Sequence, residues 1–191
     1  MAETVYDVVG IGNAIVDVLA AVDDSFLASR SLEKGSMQLI DEEQASALYQ
    51  HLENPVECSG GSAANTMVGL QSFGSRTAYI GKVAADPLGK TFIDEIHSQG
   101  LEFRTEPLSG GPATARCLVL VTPDAQRTMM TFLGASALLE ESDVDKQLIE
   151  SSRVVYLEGY LFDAPAAQAA FVRAAEIAHA ADRLVALTLS D

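Results

Sequence analysis

Two short clusters of small and polar residues hold most of the chemical potential of this chain. In one, Gly60-Gly61-Ser62 is followed after two alanines by Asn65; in the other, Asn13 and Asp17 sit four residues apart in GNAIVDV. Paired glycines adopt backbone angles closed to other residues and let a ligand approach the main chain. A helix beginning at Ser62 would aim free N–H groups and the positive end of its dipole at the loop. Oxygen-rich ligands suit such a place: a sugar, a nucleoside ribose or a phosphate. Asn65, one turn further on, adds an amide that both donates and accepts, and the Asp17 carboxylate can accept both hydroxyl hydrogens of a vicinal diol. Each cluster also has a purely structural explanation. Gly60-Gly61 can be a tight strand-to-helix turn with Ser62 as its N-cap, and Asn13 and Asp17 can be residues that turn the chain. The residues alone leave both readings open.

The elements that must position these groups follow a β/α rhythm. Residues 5–11 (VYDVVGI) form a short apolar run ending at Gly12, expected as a buried strand of a parallel sheet. Gly10-Ile11-Gly12 begins like a dinucleotide fingerprint, but Ile15 stands where the third glycine belongs, and residues 15–22 pattern as strand. That argues against a nicotinamide-binding oxidoreductase. Residues 32–40 pattern as another strand, and Asp41 with Gln44 makes a capping box opening a helix to about Leu52. A helix from Ser62 to about Ser72 is closed by Gly74, and residues 77–83 are a strand. Asp86-Pro87 opens a further helix, closed by Gly100. Residues 113–122 and 127–133 flank Pro123-Asp124-Ala125-Gln126 as a β-hairpin. From Glu140 the expected order is a helix to about Glu150, a strand over 154–158, a helix over 165–180 capped by Asp163, and a strand over 184–189. Glu158, at a strand end, either reaches the site or caps a turn.

Composition narrows the function classes. With 12 basic and 27 acidic residues the formal charge is −15, a surface that repels nucleic acid and anionic membranes. No apolar run is long enough to span a bilayer, and the N-terminus lacks a basic leader region. Cys58 and Cys117 have neither metal-ligand nor disulfide-framework spacing, and no metal site is expected from the side chains. The expectation is a cytoplasmic protein with reduced thiols and a small-molecule ligand.

The GG-S-x-x-N stretch, Gly74, the strand-like TAYIGKV and Asp86-Pro87-Leu88-Gly89 together resemble the PfkB (ribokinase-like) carbohydrate kinases. The GNAIVDV opening and PDAQRTMMTFLGA look most like the adenosine-kinase branch. Met67 stands where a small residue is typical, and Ala84-Ala85 where Gly-Asp is typical. The resemblance implies a three-layer α/β/α domain with a small antiparallel β lid. The large layer would comprise residues 1–14, 41–100 and 134–191, and the lid residues 15–40 and 101–133. It implies ATP-dependent phosphorylation of a hydroxymethyl group, on adenosine first and on ribose or fructose next, with Mg²⁺ on the nucleotide. Asn13, Asp17, Gly60, Gly61, Ser62 and Asn65 would hold the acceptor, and Met37, Arg127 and Leu133 would face it from the lid. Exposed lid edges are compatible with a homodimer. The family's catalytic base is an Asp in a Gly-Ala-Gly-Asp turn, a string this sequence does not contain. The C-terminal part of the sheet is therefore expected to be missing, with these residues part of a longer kinase. The competing reading is a binding fragment or pseudokinase.

Overall fold

Hydrophobicity on both faces places the strand β1, Tyr6–Ile11, at the centre of a parallel sheet. The computed structural model describes residues 4–189. In chain order the remaining elements are β2 (Ile15–Ala21), α1 (Asp24–Ser29), β3 (Met37–Leu39), α2 (Glu42–Tyr49), β4 (Val56–Gly60), α3 (Ser62–Ser72) and β5 (Thr77–Ile80). They continue with α4 (Pro87–Ser98), β6 (Glu102–Phe103), β7 (Ala115–Val121), β8 (Arg127–Phe132), α5 (Lys146–Glu150), β9 (Ser152–Glu158), α6 (Pro165–Ala180) and β10 (Leu184–Thr188). Three short 3-10 turns fall at Gly134–Leu138, Glu141–Asp143 and Gly159–Asp163.

The first sheet has the order β10-β9-β1-β5-β6, with every pairing parallel. Alternation along β1 and β9 sends Val9, Ile11, Val155 and Leu157 to one face, where they meet Phe171, Ala174 and Leu148 of α6 and α5. Tyr79 points the other way, into a second core with Met67 of α3 and Phe92 and Ile96 of α4. Helices on both faces make a three-layer α/β/α domain. Met67 is fully buried, and β1 makes room for it with glycine: a Cβ at Gly10 would lie 2.8 Å from the Met67 Cγ.

The second sheet has the order β3-β8-β7-β2-β4. One face sends Val16, Val18, Leu118, Leu120 and Met130 into the core shared with α3 and α4. The opposite face is largely bare, with Leu19, Met37, Leu39 and Val56 all exposed. The β7–β8 hairpin is antiparallel as expected, and so is β2–β4. The sheet as a whole is mixed, because β2–β7 and β3–β8 are parallel. Those parallel pairs join segments separated by long excursions, which a two-residue hairpin cannot do.

Local signals place most elements. The Asp41–Gln44 capping box, the Asp86 N-cap with Pro87 in the first turn, and α6 from Pro165 all stand as expected. Differences arise where long-range pairing or side-chain capping intervenes. β4, within the span 41–100 assigned to the large layer, pairs with β2 in the smaller sheet, and β6, within 101–133, pairs with β5 in the larger one. The expected strand over 32–40 shrinks to β3, and residues before it include α1, capped by Asp23 accepting from the Phe26 N–H. The helix expected from Glu140 breaks in two, since Asp143 accepts from the Glu140 N–H and Asp145 caps α5 separately. Asp163 ends a 3-10 turn and does not cap α6, whose N-cap is Ala164.

Candidate functional site

Asp17 lies mid-strand in β2, with Cys58 of β4 and Cys117 of β7 as its lateral partners and Thr131 of β8 next beyond Cys117. Side chains of laterally paired residues share a face, so this polar row crosses the bare side of the smaller sheet. Gly60 ends β4 beside it. A Cβ at Gly60 would collide with the Asp17 carboxylate, so the first glycine of the pair exists to let the acid lie against the backbone. Burial pushes the Asp17 carboxyl above the usual carboxylate range, with no basic group acting to offset it. A half-buried carboxylate without a cation gains by accepting hydrogen bonds from a ligand.

The two cysteines flanking Asp17 are free thiols. Their strands are two apart, roughly 9–10 Å between backbones, beyond the reach of about 7 Å for a disulfide. Burial and the neighbouring Asp17 raise both thiols, Cys117 to about 11, so they are present as neutral groups.

The second glycine has a different reason. Gly61 is the N-cap of α3 at φ +97°, and a Cβ there would collide with the Asn13 carbonyl oxygen. Ser62 is the first residue of the helix, not its cap, and no side chain of the loop itself caps it. The cap comes from elsewhere. Glu158, only 1% exposed at the end of β9, accepts from the Ala63 N–H at 2.9 Å with Oε1. Its Oε2 accepts from the Asn13 backbone N–H at 2.8 Å and from the Asn13 Nδ2 at 3.3 Å. Glu158 thus caps a helix distant in sequence, where the positive end of the dipole favours an anion.

Asn13 is buried within this junction. Its carbonyl accepts from the Tyr79 hydroxyl and its Oδ1 from the Ser136 hydroxyl, each at 2.9 Å. Burial and the nearby Glu158 carboxylate hold the Tyr79 phenol well above its ordinary range, so it remains a donor. Ser62 and Asn65 are exposed on the first turn of α3, next to Gly60 and Gly61. The structure therefore brings Asn13, Asp17, Gly60, Gly61, Ser62 and Asn65 to one strand-to-helix turn. Leu133 follows β8 directly and precedes the 3-10 turn that carries Ser136. Met37 and Arg127 are exposed on the bare side of the smaller sheet. Arg127 pairs with Val121, four residues along β7 from Cys117, about 13 Å from the Asp17 row.

Sequence reasoning weighed Glu158 but missed Tyr79 and Ser136. Tyr79 is in an apolar strand and Ser136 in a loop, so only their partners reveal them. Lys82 lies just beyond β5 and is nearly buried, but its charge is committed to an ion pair with Asp143. A groove of about 320 Å³ walled by Leu32, Ile40, Leu48 and Met130 opens on the face opposite Asp17 and is separate from the cluster. Among the described residues no group of three or more His, Cys, Asp or Glu could hold a metal ion, and no helix is long and apolar enough to cross a membrane. With Glu158 committed to Asn13 and Ala63, the Asp17 carboxylate is the acid left to accept from hydroxyl donors at the turn, and no basic group acts on it there to draw an anionic ligand.

Comparison with known proteins agrees with this geometry. Residues 35–191 match the model of the pfkB family carbohydrate kinases. Adenosine kinase from Sinorhizobium meliloti is 50% identical in sequence with a TM-score of 0.88, covering 97% of this chain and 57% of that one. A probable sugar kinase from Rhizobium etli CFN 42 is 43% identical with a TM-score of 0.90, covering 98% of this chain and 57% of that one. Among curated proteins, probable fructokinase-7 of Arabidopsis thaliana is 31% identical over 99 residues, which is 51% of this chain and 29% of the relative. The chain thus spans little more than half the length of these solved structures and less of the curated relative. The three-layer sheet, its second sheet and the match over most of the sequence place this chain in the pfkB family of carbohydrate kinases.

Proposed function

We propose that this chain forms the acceptor-binding part of an ATP-dependent kinase that phosphorylates a hydroxymethyl group on a nucleoside, adenosine in the first instance, or on a sugar such as ribose or fructose. The observation that carries the reading is the Asp17 carboxylate, desolvated without a cation and pressed against Gly60. Vicinal hydroxyls would donate to its two oxygens. The Asn65 amide and the first N–H groups of α3 would fix a further oxygen, with Asn13 held rigid behind them. The bare face of the smaller sheet, with Met37 and Leu39, offers an apolar wall for a base and would exclude water. The likeness to a protein described as an adenosine kinase over 97% of this chain favours a nucleoside over a free sugar.

Bound ATP with Mg²⁺ would supply the phosphoryl group. Residues for it, and a base to deprotonate the acceptor, are not provided at this turn, so no transfer step is assigned to the residues described. A second reading is binding without transfer, since the side chains described at this turn offer partners for hydroxyls and no group for the phosphoryl donor. The same exposed apolar face would also serve a homodimer through the lid.

Isothermal titration with adenosine, ribose and fructose, paired with an ADP-release assay and the intact mass, tests the proposal. Saturable binding of one acceptor together with ADP release is the expected result. Binding without ADP release from a 20.2 kDa species selects the binding-only reading. No binding of any of the three overturns both.

A further inference from the structure

We propose that Glu158 is a positioning residue for the acceptor turn, acting through Asn13 and the first turn of α3 and never touching the ligand itself. This rests on the acceptor reading of that turn. At 1% exposure, with three hydrogen bonds to its two oxygens, the carboxylate has no surface left to offer a substrate. What it joins is informative. Asn13 follows β1, Glu158 ends β9, and Ala63 is the second residue of α3, so one side chain fixes three elements relative to each other.

Space has been cleared for it. A Cβ at Gly12 would lie 2.7 Å from the Glu158 Oε2 and 2.8 Å from the Ala63 Cβ. The glycine that resembles a nucleotide fingerprint therefore admits a carboxylate. Asn13 receives further support from Tyr79 and Ser136, but among the described residues Glu158 is the side chain that hydrogen-bonds both Asn13 and α3. Because Gly61 lies against the Asn13 carbonyl, a shift of Asn13 or of the α3 start would displace Gly60, and with it the wall against which Asp17 rests. The negative charge also matters: each oxygen can only accept, and all three partners are N–H donors.

Glu158→Gln keeps the shape but turns one oxygen into a donor, so it must face either Asn13 or Ala63 with donor against donor. The test measures the full chain of wild type and E158Q by amide hydrogen exchange and by titration with adenosine, ribose and fructose, well below the melting temperature of each. Leu148→Ala, in the remote core under α6, supplies a variant destabilised without contact to the turn. The expected result is faster exchange at Asn13 and Ala63 in E158Q alone. Acceptor affinity should fall about 10- to 100-fold in E158Q and stay within about twofold of wild type in L148A. Unchanged exchange at both amides, or equal affinity losses in E158Q and L148A, would overturn the positioning role. If wild type binds none of the three acceptors, the acceptor reading fails, and the exchange data still decide whether Glu158 holds the turn.

Discussion

In the proposed acceptor site, Asp17 would set ligand binding against stability. Burial raises its pKa in the folded chain above that of the unfolded chain. A group raised in this way contributes stability that is full below its unfolded pKa and lost as pH rises through the folded value. At neutral pH the ionised acid is therefore a net cost to folding. Asp17→Asn is expected to match or exceed the wild-type melting temperature at pH 7. The same change should weaken acceptor binding by about 1–3 kcal/mol, since an amide accepts with one oxygen only. In wild type, acceptor affinity should decline as pH falls through a value above the ordinary range of a free aspartate, and D17N should lose that pH dependence. Thermal melts and titrations between about pH 4 and pH 8 check all three. A destabilised D17N with undiminished affinity would remove Asp17 from the site.

Elements meet at the C-terminal ends of the first sheet, and there the Lys82–Asp143 pair ties the end of β5 to the 3-10 turn at Glu141–Asp143. Both side chains are about nine-tenths buried, at 11% and 8% exposure. Removing one partner of such a pair strands a buried charge and typically costs about 3–5 kcal/mol, whereas replacing both with apolar groups costs far less. Lys82→Met and Asp143→Leu alone are each expected to lower the denaturation midpoint markedly, and the double variant should recover most of the loss. Urea unfolding of the three variants measures this. Additive losses in the double variant would show that the pair is not coupled.

At the scale of the whole molecule, β10 lies at one end of the first sheet and, among the described residues, has β9 as its one strand neighbour. Leu184, Leu187 and the following Leu189 are 70%, 54% and 86% exposed. An exposed apolar edge strand recruits other strands. Produced by themselves, these 191 residues are expected to self-associate in a concentration-dependent way despite their charge of −15. Sedimentation velocity should register it, and Leu184→Glu with Leu187→Lys should restore a monomer. A chain that stays monomeric at high micromolar concentration would indicate that this edge is protected by its own side chains.

Much of the fold was legible because it follows from neighbours in sequence. The capping box at Asp41 and Gln44, Pro87 after Asp86, the hairpin around Pro123–Gln126 and the long α6 are governed by interactions within a few residues. The Gly60-Gly61 turn was legible for the same reason, since only glycine accepts φ +97° so readily. Tertiary structure decided the rest. β4 is a five-residue strand directly after Pro55, too short to stand out in the sequence, and its pairing with β2 sets Cys58 beside Asp17. Asp143 interrupts what patterned as one helix by bonding back to Glu140. The cap of α3 comes from a carboxylate 95 residues away, and the hold on Asn13 from the same group across 145 residues. Sequence by itself determined which residues could bind hydroxyls and where the chain must turn, because backbone sterics and local hydrogen bonds act over one helical turn. Which acid keeps its oxygens without a partner and which is buried with all of them bonded was decided only by folding, because desolvation and partner geometry depend on elements that meet across the whole chain.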